Sequence, residues 1–326
     1  MATDREIHPR AEMRPGPPAA SRLTGSGSSI PFVPALALRS DPGASAPTVA
    51  RHGSWVPARG GLHAGAWAAE LAGTAILVFG GLSAVVLDFG AGSPVAAAIP
   101  SASARLLLTG ALFAGTGALV TVSPIGRRSG AHLNPAVTLA FWLTGHVHPH
   151  DFAGYVGGQL AGALAGAAAL VAVWGRAAAS VHDGVTQPGA GIGQPEAAAI
   201  EALMTAALVL TILLFVSDAR TMRWTPAAVW AVVTLLVWQG APFTGTSLNP
   251  ARSLGPALVG ANVHALWVYL VGPPAGAVLA VALQRLVLPG VVPLTAKLFH
   301  LAGDRPTTLG HFPGAIGEAA VDEPAA

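Results

Sequence analysis

Ser129-Gly130-Ala131-His132-Leu133-Asn134-Pro135-Ala136-Val137-Thr138 decides how the chain reads, because its centre returns as Leu248-Asn249-Pro250-Ala251-Arg252-Ser253. Proline suits the first position of a helix, where its missing N–H costs nothing. Asparagine just before it is a strong N-cap. Each Asn-Pro-Ala therefore reads as a helix start. The segments that follow, 137–143 and 252–259, are too short to cross a membrane. One such motif is an ordinary cap. Two, at matching positions of a repeat, predict half-helices that enter from opposite faces and meet near the middle. Irregular backbone at that depth is tolerated only where it is buried in protein or lines a cavity.

Outward from the two motifs, apolar runs over roughly 66–87, 104–123, 152–174, 196–217, 226–243 and 265–288 predict six membrane spans. The bulk composition agrees. Hydrophobic residues make up 52% of the chain and charged residues 10%, against roughly 25% charged in a soluble domain. The chain has no cysteine, which excludes disulfides and thiol chemistry. The net charge of +2 comes from scattered arginines, so no nucleic-acid surface is expected. Arg127 and Arg128 follow span 2, and Arg220 and Arg223 follow span 4. By the positive-inside rule both termini are then cytoplasmic. The Pro-, Gly- and Arg-rich residues 1–62 read as a disordered tail, 63–290 as one channel domain, and 291–326 as a second tail.

The domain repeats itself over about 63–175 and 195–288. Ala69-Glu70-Leu71 opens the first half, and Ile200-Glu201-Ala202 the second. Gly158-Gln159-Leu160-Ala161-Gly162 in span 3 answers Gly272-Pro273-Pro274-Ala275-Gly276 in span 6. Each half holds three spans, an odd number, so the second half is inverted. Gly154, Gly158, Gly162 and Gly166 fall on one helix face and predict a close backbone seam. Two opposed half-helices would aim their positive ends at the membrane centre. The amides of Asn134 and Asn249 could donate there to a passing oxygen. That arrangement repels cations and admits neutral hydrogen-bonding molecules. Arg252 would place a charge at membrane depth, which marks a functional residue.

The two signatures, with Glu70, Gln159 and Glu201 in their expected places, resemble those of the aquaporin, or major intrinsic protein, family. The resemblance spans about residues 65–288. It implies an all-α membrane protein with an aquaporin-like fold: six transmembrane helices plus two half-helices in an inverted repeat, assembled as a homotetramer. It implies a passive channel for water and small neutral solutes. Asn134, Pro135, Ala136, Asn249, Pro250 and Ala251 would line its centre. Glu70 and Glu201 would brace the half-helix loops, and His132 would line the pore or brace its loop. Alignment on the two asparagines gives the filter as Ala114, Val237, Thr246 and Arg252. Water-specific members usually carry Phe and His at the first two positions, so a wider filter that passes glycerol is expected. A shift of one residue in span 2 would substitute Phe113 and narrow it. Ser253 and Ala257 resemble the water-channel branch, so the permeant stays open.

Other readings have less to stand on. A coupled secondary transporter also uses inverted repeats and broken helices, but needs an ion-coupling group and alternating access. A structural membrane protein with little flux would differ in a permeability assay. No nucleophile–base pair supports an enzyme, and nothing implies a cofactor. His146, His148 and His150 read as a solvated turn around Pro149. Metal ligands must converge on one point, so no metal site is expected there.

Overall fold

The computed structural model describes residues 62–297. The expected N-terminal tail up to residue 61, and the C-terminal tail from 298 on, lie outside the described residues. Along the chain come α1 (Ala64–Phe89), the short α2 (Pro94–Ala98), α3 (Ala102–Val122), α4 (Pro124–Ser129) and the half-helix α5 (Pro135–Leu143). Then follow α6 (Pro149–Trp174), α7 (Arg176–Ala179), α8 (Gln194–Phe215), α9 (Thr225–Thr244), the second half-helix α10 (Pro250–Val259) and α11 (Leu266–Val287). Among the described residues six helices are long and apolar enough to span a membrane. They match the six expected runs to within a turn. Leu119, Val173 and Leu203 on their outer surfaces are exposed, as a lipid-facing belt requires.

The inverted repeat is visible in the packing. α1 lies against α6, and α8 lies against α11. In each pair the approach is so close that glycine is required. A β-carbon on Gly162 would sit 2.2 Å from the carbonyl oxygen of Leu71, and one on Gly276 would sit 2.2 Å from that of Ala202. The obstacle is backbone in both cases, so no side-chain rotation relieves it. Gly162→Leu is therefore expected to push α1 from α6 and destabilise the bundle by about 3 kcal/mol, the upper end of the overpacking range, because the obstacle cannot rotate away. Gly157→Leu, with nothing within 4 Å of a β-carbon, should leave stability unchanged. Thermal melts in detergent compare the two, and equal melting temperatures would remove the seam.

The described first residues of the tail expected from residue 291 pack against the channel domain. The backbone N–H of Leu294 donates to the Val216 carbonyl at 2.9 Å. The Pro293 carbonyl contacts His146 Nε2 at 2.7 Å. Ala296 and Lys297 are buried. Residues 291–297 thus pack on the face where α1 begins and α11 ends, because the ends of α5 and α8 leave carbonyls and imidazoles there to receive them.

Candidate functional site

Each Asn-Pro-Ala starts its half-helix as the residue chemistry dictates. Asn134 Oδ1 accepts from Ala136 N at 2.8 Å, and Asn249 Oδ1 accepts from Ala251 N at 3.0 Å and Arg252 N at 3.3 Å. The amide nitrogens cross over. Asn134 Nδ2 donates to the Leu248 carbonyl and Asn249 Nδ2 to the Leu133 carbonyl, both at 2.8 Å. The two half-helix starts are thereby tied to each other, and the two asparagines share the wall of one cavity. Each Asn amide has a second N–H beyond the one used in the cross-tie.

The loops that carry these asparagines are strained in the same way. Ala131 and Leu133 have φ of 52° and 53°, and Thr246 and Leu248 have 43° and 58°. Residues other than glycine hold that conformation only when the surroundings enforce it, at about 1–3 kcal/mol each. A buried carboxylate does so in each half. Glu70 accepts from His132 N at 3.0 Å, Leu133 N at 2.7 Å and Gln159 Nε2 at 2.7 Å. Glu201 accepts from Ser247 N and Leu248 N at 2.8 Å and from Thr244 Oγ1 at 2.7 Å. A tyrosine completes each brace. Tyr155 OH donates to the Ser129 carbonyl at 2.5 Å, and Tyr269 OH to the Thr244 carbonyl at 2.7 Å. The pairing of these tyrosines was missed in the sequence. The signal was present: they are the chain's two tyrosines, each three residues before the first glycine of its half's glycine motif.

Two cavities flank the asparagine junction. One, of about 140 Å³, opens toward the face bearing the described chain ends; His132, Asn134, Val137, Phe141, Asn249 and Ala296 help line it. His132 is held there by Thr138 Oγ1 at 3.2 Å and by the Ala296 carbonyl at 3.0 Å, so it both lines the cavity and braces its loop. The other cavity, of about 180 Å³, lies toward the opposite face; Phe113, Val237, Thr246 and Arg252 are among its walls. Phe113, Val233, Ser247 and Leu248 border both cavities.

Val237, Thr246 and Arg252, three of the residues expected at the filter, border one cavity together. Arg252 Cζ sits 5.7 Å from the centre of the Phe113 ring, whereas Ala114 borders only the other cavity. Phe113, the residue that a shift of one position in span 2 would substitute, borders the same cavity as Arg252. The Arg252 guanidinium is buried, and its Nη1 donates to the Gly184 carbonyl at 2.9 Å. Gly184, at φ +77°, is a further wall residue that no sequence motif announced. Thr186, Ser253 and Ser247 link their hydroxyls at 2.7 and 2.6 Å behind the second half-helix.

The comparisons with known proteins agree with this geometry. The family profile "Major intrinsic protein" matches residues 62–284. Aquaporin NIP6-1 of Arabidopsis thaliana is 33% identical over 220 residues, 67% of each chain. The lens fiber major intrinsic protein of Gallus gallus is 35% identical over 203 residues, 61% of this chain and 77% of that one. In fold, the chain is similar to the X-ray structure of the aquaglyceroporin from Plasmodium falciparum, with a TM-score of 0.59 and 22% identity, over 71% of this chain and 99% of the other. With six spans, two opposed half-helices and a family profile matched across both, the chain belongs to the major intrinsic protein family.

Proposed function

We propose that the protein is a passive transmembrane channel for water and small uncharged solutes such as glycerol, closed to ions and protons. The observation that carries this is the cross-tied asparagine pair at the junction of two cavities. Helix N-termini meet there from both sides, so the field is positive where a permeant must shed its other neighbours. A neutral oxygen gains hydrogen bonds at that point, and a cation gains repulsion. Glu70 and Glu201, the symmetric pair of buried glutamates, are saturated by loop donors, so neither is free to bind a coupling ion.

Selectivity is assigned to Phe113, Val237, Thr246 and Arg252. The ring of Phe113 makes this constriction narrower than alanine at that position would. Val237 stands where an imidazole would add a second polar group, so one wall is greasy and the other offers a hydroxyl and a guanidinium. A polyol presents matching faces, with its carbons toward Phe113 and Val237 and its hydroxyls toward Thr246 and Arg252. The arginine-bearing connections support a cytoplasmic side for both termini, and the family fold supports a homotetramer.

Stopped-flow light scattering on proteoliposomes tests the reading. Water and glycerol should both cross faster than through empty liposomes. Val237→His is expected to cut glycerol flux at least tenfold while sparing water. Parent liposomes that pass water and exclude glycerol would refute the amphipathic filter. Parent liposomes that pass neither would refute the channel.

A further inference from the structure

Of the three histidines around Pro149 that were expected in a solvated turn, His146 and His148 are half-buried and His150 is buried. His150 is 7% exposed and Asp151 fully buried. α1 starts beside them, and its N-cap His63 places Nδ1 2.8 Å from Asp151 Oδ2 and 3.0 Å from Oδ1. His150 Nε2 lies 3.5 Å from the same Oδ2 and has no hydrogen-bond partner. One ligand atom from each of His63, His150 and Asp151 therefore falls within 4.8 Å of the other two. We propose that His63, His150 and Asp151 form a binding site for a divalent transition-metal ion of the zinc type, joining the start of α1 to the start of α6.

The chemistry of the donors selects the ion. Imidazole and carboxylate suit Zn²⁺, Ni²⁺ and Cu²⁺, whereas Mg²⁺ and Ca²⁺ demand oxygen ligands. A tetrahedral ion with bonds of about 2.0–2.1 Å holds its ligand atoms about 3.3 Å apart. The separations of 2.8 and 3.5 Å around Asp151 Oδ2 bracket that value, and all three ligand atoms lie within 4.8 Å of one another, so the two imidazoles need to close by roughly 1.5 Å or less to share one centre. Three protein ligands leave a fourth position for water. The supporting shell is built as well. Trp67 Nε1 donates to Asp151 Oδ1 at 3.0 Å and orients the carboxylate. His148 Nδ1 meets His150 Nδ1 and holds that ring with Nε2 toward Asp151. Such partners set ligand orientation and raise affinity. The unpartnered, buried Nε2 of His150 is what a plain hydrogen-bond clamp leaves unexplained and a metal ion satisfies.

The test uses the full-length protein, purified without a polyhistidine tag and stripped with chelator. Zn²⁺ alone is titrated by calorimetry, with Mg²⁺ as the hard-cation control and thermal melting as the second readout. The parent should bind one tight Zn²⁺ per chain and melt at a higher temperature with it. His63→Gln and His150→Gln should each weaken that binding at least about tenfold and remove the shift. Mg²⁺ should do neither, and His264→Gln, remote from the cluster, should behave as the parent. Metal-free water permeability equal to the parent's verifies that the glutamine variants are folded. X-ray absorption at the zinc edge, on the parent itself, should report two imidazoles in the first shell and holds even if a variant misfolds. Unchanged zinc affinity in both variants, no binding tighter than millimolar, or a first shell without imidazole overturns the site.

Discussion

Glu201→Ala is expected to abolish permeation by collapsing the second half-helix loop. The carboxylate is fully buried and receives two backbone N–H groups and a hydroxyl. Removing it leaves Ser247 N and Leu248 N without partners in a site that water reaches poorly. Each orphaned donor costs about 1–3 kcal/mol. Thr246 and Leu248 are also held at positive φ, and that strain would be released once its clamp is gone. The Leu248 carbonyl would then swing away from Asn134 Nδ2, so damage in one half reaches the other. Water flux in proteoliposomes should fall at least tenfold, with a matching loss of thermal stability. Glu70→Ala should do the same through His132 and Leu133. Full water flux in either variant would mean that the carboxylates do not hold the loops.

Arg252→Val is expected to do the reverse: flux persists and selectivity fails. The guanidinium is the fixed charge in the wall opposite Phe113. A cation about 5 Å away meets roughly 3 kcal/mol of repulsion at an effective dielectric near 20. That is about a hundredfold in flux, since each 1.4 kcal/mol is tenfold. The opposed half-helix ends remain, so exclusion weakens without vanishing. Proton entry, followed with a pH-sensitive dye trapped in liposomes, should rise markedly. Glycerol flux should rise severalfold because the side chain shrinks. Arg252→Lys keeps the charge and should leave proton exclusion largely intact while altering solute selectivity, since a single ammonium cannot copy the planar fork. Unchanged proton and solute behaviour in Arg252→Val would take Arg252 out of the filter.

Much of this molecule was written into local sequence. Six apolar runs long enough for a bilayer, and two Asn-Pro-Ala starts before segments too short to span, follow from helix capping and from the cost of unpaired backbone in hydrocarbon. Both are local rules, and so the spans, the half-helices and the inverted order of the repeat could be read along the chain. The glycine face of α6 and the bracing roles of Glu70 and Glu201 were legible for a related reason: a repeat shows each of them twice, and symmetry separates structure from chance. Three things needed the folded chain. The Phe113 ring comes to 5.7 Å from the Arg252 guanidinium carbon and borders the same cavity, a contact between distant parts of the chain. Residues 291–297 pack beside His132 and His146, contacts made across more than a hundred positions of chain. His63 meets Asp151 only because the seam of α1 and α6 brings two helix starts together. Local propensity determines where a helix begins; which side chains then share a point in space depends on how the helices cross, and that is decided by packing among residues far apart in sequence.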